Sequence, residues 1–587
     1  MLEFREIGGG EAGPVGSMLD DEVVTAEDLP AESRAERPAA VRSAWARVTP
    51  DTRKRIVDYL PIVVLLILVA YFCKVFYQPG HDWGDDFALY IHQAKGLVTG
   101  NAGEVAAMNR YTVDESGWNS FSPLIYPWGF PILIAPIVSV WGVNYAKLKF
   151  FIVCTFLGFL FCLYRLVLRR TGPLGATLVV ALLGSSVWYV GFTSSVLSDY
   201  PYLLFAMFTF LWMDRVRTRS LTEGEGIRDL IILGFLIAFS YSIRREGLAL
   251  LAALFAMQAI AIGPRLVPDG RRYASRWIDR NDEAGEPPDD AAPPVRWTRI
   301  AVPWTSFAIT VVGLQLMLPS EIFPHWAGVG TQQIKPNVIW FRDILAEQIG
   351  VKDIGVNKIQ LFGSWDLAAL VLGLFVGLAV IGLVVRVLTA TAEDAPIAAY
   401  LGGVFFIVGT QPFHEGRYLL GVTPLMAYFA YQALPAIARW ARFLVRPAVV
   451  LSAIGLAGLV VANWTDMSHA LAYHRVYRGT INGPTSPAAL EMEQKVIQCT
   501  RGTDVIVFFR ARAMSMLTDR RSIQTGSADV MMQRGDWYVM AKGSDYSQPL
   551  ITDAQARDLG LRKIWENSEW VLWLIPGGAA DGRRLPC

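Results

Sequence analysis

Runs of about 20 apolar residues recur along this chain, and no other feature of it constrains the fold so tightly. A bilayer core holds no water to satisfy backbone N–H and C=O groups, so each run must close its hydrogen bonds within itself, as a helix. The first run, Leu60 to Tyr77, follows the basic stretch "DTRKR". Composition agrees: 53% of the 587 residues are hydrophobic, only 18% are charged, and mean hydropathy is +0.35. A net charge of +1 lacks the basic surface that counterion release at nucleic-acid phosphates requires.

Cytoplasmic loops carry the excess of Lys and Arg, so the basic loops orient the runs. "DTRKR" puts the N-terminus inside, and the first span exits. The run ending at Arg169 and Arg170 returns; Leu174–Ser195 exits and Asp199–Met213 returns to "DRVRTR"; Leu230–Ile243 exits and Gly247–Ile262 returns to the arginine-rich loop Gly263–Arg299. Ile300–Leu318 exits to an outer loop, Pro319–Ser364; Leu367–Val385 returns, Ile397–Thr410 exits, Tyr418–Leu434 returns and Val449–Ala462 exits. About eleven spans result, with every arginine-rich loop on one side. One apolar stretch, Pro123–Val143, breaks the parity, because both its ends would lie outside. Prolines at 123, 127, 131 and 136 disfavour an uninterrupted helix there, so it reads as a re-entrant or juxtamembrane segment, with a true span as the alternative.

The expected fold class is therefore an all-α polytopic membrane protein with a small C-terminal α/β domain. Residues 1–55 are acidic, rich in small residues and poor in aromatics, and read as a disordered cytoplasmic tail. No basic stretch with a short apolar run stands at Met1, so the first span is expected to act as an uncleaved anchor. Residues 56–462 form the membrane module, with a first outer loop at 78–143 and a second at 319–364. From about Asn463 to Cys587, "DVIVFFRARAMSMLTDRRSI", "GDWYVMAKG" and "EWVLWLIPG" read as short buried strands, with one helix at "TDAQARDLG", in an extracytoplasmic domain. The five cysteines suggest neither a disulfide framework nor a zinc site.

Folded this way, the polar residues collect at the outer face: Asp82, Asp85 and Asp86 after the first span, Asp199 in "SSVLSDYPYLLF", Arg244 and Arg245 in "SIRREGLALL", His325 in the second loop, and His414, Glu415 and Arg417 in "QPFHEGRYLL". Ionisable groups at membrane depth mark a pathway or a site. From Asp85 onward, Phe87, Ile91, Ala94 and Val98 fall on one face of a helix, which predicts a helix lying on the membrane surface with its acids facing a ligand. Helix capping alone would also explain Asp85, Asp86 and Asp199. Two adjacent arginines on the outer side run against the charge rule and point to a bound anion. His325 reads as a loop residue.

"GDDFALYIHQAKGL", "YPWGFPILIAP", "SDYPYLLF", "SIRREGLALL" and "HEGRYLLGVTPL", in that order, resemble the GT-C class of integral-membrane glycosyltransferases, especially the branch of bacterial protein O-mannosyltransferases and aminoarabinose transferases. The resemblance spans most of Leu60–Leu434 and implies an inverting transfer of a sugar from a polyprenyl-phosphate donor to an acceptor. Asp85 takes the place of the acid that leads the family's first outer loop, Asp86 the neighbouring acidic position, and Asp199 the acid that opens a later span. The chemistry is coherent on these residues. A carboxylate accepts the proton of an attacking hydroxyl, and cations stabilise the departing phosphate. Asp85 is the expected base with Asp86 beside it; Arg244, Arg245, His414 and Arg417 are the donor-phosphate candidates. Asp86 and Asp199 are candidate ligands for Mg²⁺ or Mn²⁺; no organic cofactor is expected. The rival reading is a transporter of a lipid or glycan, which would place polar breaks at the bilayer midplane and repeat its halves.

Overall fold

The computed structural model describes residues 49–117, 123–218, 226–266, 296–321, 330–351, 367–412, 415–439, 441–477, 479–543, 546–582 and 587. The chain divides into Met1–Asp58, of which only the start of the first helix is described, and a body, Tyr59–Cys587. Most of the expected tail, His325, His414 and the loop beyond Leu266 lie outside the described residues.

The membrane part is helical. α1 is Pro50–Phe76; α2 (Asp85–Thr99), α3 (Ala102–Glu115) and α4 (Gly129–Trp141) lie between it and α5 (Tyr145–Gly184), and α6 is Asp199–Thr218. α7 (Ile227–Ile243), α8 (Ala249–Leu266), α9 (Trp297–Met317), α10 (Ile334–Gln348), α11 (Leu367–Thr389), α12 (Thr391–Gly409), α13 (Thr423–Ala438) and α14 (Val445–Val476) follow. Seven described helices are long and apolar enough to cross a bilayer, and eight if the short helix Val187–Ser194 and α6, bent by 118°, count as one broken span. The expected eleven spans exceed this count. The difference is the arm of α5 beyond Gly172, where φ is +76° before Pro173, and the 17-residue α7 and 16-residue α13. α4 is a 13-residue apolar helix, about 20 Å long at 1.5 Å per residue and too short to span, as the prolines predict.

Neighbouring spans pack in pairs: α11 against α13, α8 against α12, α7 against α9 and α5 against α6. Gly382 permits the first pairing, since a Cβ there would run into the Phe429 carbonyl of α13. Only 6% of the apolar stretch of α9 and 17% of that of α14 is buried, which leaves their sides to lipid. At the end of the bundle where the basic loops lie, Arg170 donates to Asp214 at 2.9 and 3.0 Å and to Asp394 at 3.3 Å. Arg386 and Tyr428 also donate to Asp394, at 2.5 and 2.8 Å. Five helices are knotted there through charge.

The C-terminal part differs from expectation in three respects. α14 continues through Asn463 to Val476, because Asn463 is buried and donates to the Leu182 and Gln348 carbonyls at 3.1 and 3.2 Å. The domain therefore begins after Val476. It holds four helices among the described residues, not one: α15 (Pro487–Cys499), α16 (Ala511–Thr518), α17 (Ala528–Arg534) and α18 (Asp553–Asp558). "RARAMSML", read as part of a strand segment, is α16. The strands β1 (Val505–Val507), β2 (Arg521–Ile523), β3 (Trp537–Ala541), β4 (Arg562–Glu566) and β5 (Trp570–Leu574) form one sheet in the order β2-β1-β3-β5-β4. β1 runs parallel to β2 and β3, and the other pairings are antiparallel. Cys499 and Cys587, 88 residues apart, form a disulfide that the cysteine spacing did not suggest.

Candidate active site

The helix that opens with the two acids is not a surface helix. Gly84, in extended backbone, caps α2 without a side-chain bond, so Asp85 and Asp86 occupy the first turn and neither caps it. Phe87, Ile91 and Ala94 are buried as the periodicity predicts, but Leu89, His92 and Gln93 are buried too, since α4 packs on one side and α16 on another. Lys95 reaches across to the Met516 carbonyl at 3.0 Å and the Asp519 carboxylate at 3.2 Å. The C-terminal domain covers part of the helix expected to lie on the membrane surface with its acids facing a ligand.

The three aspartates of the opening stretch diverge. Asp82 is exposed and pairs with His81 at 2.7 Å, whose other ring nitrogen accepts from the Val196 N–H at 3.0 Å. Asp85 is 9% exposed and turns to the C-terminal domain, accepting from the Arg512 backbone N–H at 3.3 Å and the Arg510 guanidinium at 3.4 Å. Asp86, with 29% of its side chain exposed, faces the membrane module: Tyr126 donates to it at 2.5 Å and Arg417 forms a short ion pair with it. Burial raises the proton affinity of both acids. For Asp85 that effect prevails over Arg510 and Arg512, and its pKa is raised. For Asp86, Arg417 and the Tyr126 hydroxyl outweigh burial and hold the carboxyl down to about 2.

The distant motifs converge around Arg417. Arg244 donates to Asp199 at 2.7 Å and to Glu246 at 2.8 Å, and its guanidinium lies 5.8 Å from the centre of the Tyr418 ring. Arg417 lies 5.9 Å from the same ring. Tyr418 therefore stands beside two cations that serve three acids, Asp86, Asp199 and Glu246. Tyr90 of α2 bonds to Ser198, next to Asp199, at 3.0 Å. Arg245 donates to the Glu321 carbonyl at 2.6 Å. Close backbone approach sets these positions: a Cβ on Gly129 would come within 2.5 Å of the Ser242 carbonyl carbon, so only glycine lets α4 abut the end of α7 where Arg244 emerges. Among the described residues, Asp199 Oδ2 and Arg417 Nε are buried here with no hydrogen-bond partner. Such atoms are rare in finished cores and common where a ligand completes the set.

No protein-family model and no curated protein matches the sequence. Solved structures do resemble the fold. ArnT from Cupriavidus metallidurans bound to undecaprenyl phosphate superposes with a TM-score of 0.50 at 10% identity, over 90% of this chain and 100% of its own. The chain shares the fold of ArnT. The apo state of the same ArnT gives a TM-score of 0.49 at 11% identity, over 89% and 99% of the two chains. The oligosaccharyltransferase AglB from Archaeoglobus fulgidus, in complex with an inhibitory peptide and a dolichol phosphate, gives 0.46 at 10%, over 83% and 70%.

Among the described residues no three His, Cys, Asp or Glu side chains gather as metal ligands. Asp86 and Asp199, expected as a metal pair, each face an arginine that already balances their charge. Arg244, Arg245 and Arg417, expected as free cations for phosphate, are likewise engaged by acids or carbonyls. Sequence reasoning missed Tyr126, Glu246, Glu321, Tyr418, Arg510 and Arg512. Glu246 and Tyr418 lay inside quoted motifs, "RREG" and "EGRY", and the bare pairing of acid with arginine would have singled out Glu246. Arg510 and Arg512 carried no signal, since only the docking of the C-terminal domain brings them to Asp85.

Proposed function

We propose that the protein is an inverting glycosyltransferase that moves a hexose or pentose from a polyprenyl-phosphate donor to an acceptor hydroxyl at the outer face of the cytoplasmic membrane. The observation that carries the reading is the ion pair between Asp86, at the head of α2, and Arg417 on a GT-C fold. The undecaprenyl phosphate on ArnT makes that lipid carrier the natural class of donor.

Asp86 is the better base of the two acids. It stays ionised, is the more exposed, and faces the arginines, whereas the C-terminal domain engages Asp85. A carboxyl held near 2 is a weak base, and the pairing itself offers the remedy. When donor phosphate engages Arg417, that cation is shared, and Asp86 gains proton affinity as its counter-charge is drawn off. The acceptor oxygen then attacks the anomeric carbon, the bond from that carbon to the phosphate oxygen breaks, and the hydroxyl proton passes to Asp86. Negative charge moves from Asp86 to the leaving phosphate, and Arg417 stands beside both. Arg244, Arg245 and His414 are further donor-side candidates. No step requires a metal.

The N-terminus is assigned to the cytoplasm and the C-terminal domain to the outside. The Cys499–Cys587 disulfide supports this, because such bonds persist in oxidising compartments. Protein reconstituted in lipid and supplied with a panel of radiolabelled polyprenyl-phosphate sugars provides the test. Wild type and Asp86→Asn should both bind one donor, and only wild type should transfer its sugar. Failure of wild type to bind any of them refutes the assignment.

A further inference from the structure

The segment Pro123–Tyr126, which delivers Tyr126 to Asp86, belongs to no helix or strand. Side chains from four separate regions satisfy its backbone instead. Asn109 of α3 donates to the Pro123 and Leu124 carbonyls, and Gln93 of α2 to the Tyr126 carbonyl at 3.0 Å. Glu321 accepts from the Leu124 N–H at 2.8 Å, and Arg512 donates to the Pro123 carbonyl at 2.7 Å.

Arg512 stands apart from the others, for it alone arrives from the C-terminal domain and it brings a cation. Only 3% of it is exposed. Its Nε donates to Asn109 at 2.9 Å, its guanidinium lies 5.6 Å from the Tyr126 ring centre, and its backbone N–H holds Asp85. One residue therefore fixes the clamp, the ring that the clamp carries, and the acid beside the base. A purely mechanical tie would need no buried charge, which is expensive to desolvate.

We propose that Arg512 is a positioning residue of the reaction: through Tyr126 it sets the orientation and charge environment of Asp86, making the C-terminal domain a working part of the active site. Asp86 is also faced by Arg417 and Tyr126 directly, and by Asp85, Tyr90 and Tyr418 at longer range, so Arg512 is one contributor among several. Its charge acts to lower the proton affinity of both Asp85 and Asp86.

The kinetic part of the test rests on the glycosyltransferase reading, and the spectroscopic part does not. Full-length protein with 3-fluorotyrosine at Tyr126 is compared across wild type, Arg512→Gln, Arg512→Lys and the control Arg562→Ala, a substitution on an exposed strand residue. The fluorine resonance of wild type should hold steady as pH falls to the limit of the folded state. In Arg512→Gln it should move and titrate at a measurably higher pH, with Arg512→Lys between them and the control unchanged. In turnover, Arg512→Gln should lower kcat about tenfold with donor KM little changed, and move the acid limb of the pH profile upward. A Tyr126 resonance indifferent to Arg512→Gln overturns the proposal. So does a loss of kcat with an unmoved acid limb, which marks a structural clamp only. If wild type transfers no sugar from any donor, the function assignment falls alone and the resonance still decides the role of Arg512.

Discussion

At the scale of single residues, adjacent aspartates one bond apart in sequence have been given opposite surroundings. Asp85 meets a protein domain and Asp86 meets arginine. The folded pKa of Asp86 lies below its unfolded value, so its ion pair stabilises the protein above the ordinary carboxylate range and loses that contribution as pH falls towards about 2. Arg417→Ala removes the largest opposing charge and should raise the acid limb of kcat/KM, which reports the free enzyme. Measuring kcat/KM from mildly acidic to neutral pH checks this, and an unchanged limb would mean that Asp86 does not titrate in the reaction. The sequence made the acids and arginines legible because charge is conspicuous at a membrane boundary. It did not reveal their pairing, since Arg244 lies 45 residues from Asp199 and Arg417 lies 331 from Asp86. The sequence pointed to Asp85 as the base; we propose Asp86 instead because Arg510 and Arg512, more than 400 residues downstream in the chain, engage Asp85.

At the scale of elements, periodicity and proline placement predicted α2 and the short α4, because local rules govern each of them. The same rules misjudged what covers α2 and where α14 ends. Apolar periodicity reports which face is buried but not by what, and a helix that leaves the bilayer is free to continue in water. The Arg170–Asp214–Asp394–Arg386 knot is the strongest purely structural arrangement among the spans. Asp394 is fully buried and accepts from Arg170, Arg386 and Tyr428. Asp394→Ala takes an acid from two buried guanidinium groups, leaving Arg170 with Asp214 and Arg386 with Glu393, and should destabilise the protein by about 3 kcal/mol. Thermal unfolding in detergent measures the loss. The acid limb of turnover should not shift, since the knot lies at the opposite end of the bundle from Asp86.

At the scale of the molecule, a membrane bundle and a small sheet domain share one site, tied by Asp85, Lys95 and Arg512. The disulfide pins the end of the chain back to α15 across 88 residues. Cys499→Ser should lower the stability of the C-terminal domain by about 2–4 kcal/mol through the lost loop constraint. Because that domain helps to hold Tyr126, turnover should fail at a lower temperature in the variant while donor binding survives. Parallel melting and activity curves test this, and coincident loss of binding and turnover would argue against it.

The order in which the chain is made gives the buried knot a second significance. Arg170 leaves the ribosome 44 residues before Asp214 but 224 before Asp394. An arginine buried among helices without a counter-charge is expensive, so the early partner neutralises it while the first half packs, and the later acid arrives to a cation already in place. Asp394, fully buried between Arg386 and Arg170, can then act as a latch that closes only when the second half has docked. A chain interrupted before that point would carry an incomplete charge cluster, with Arg170 paired to Asp214 alone.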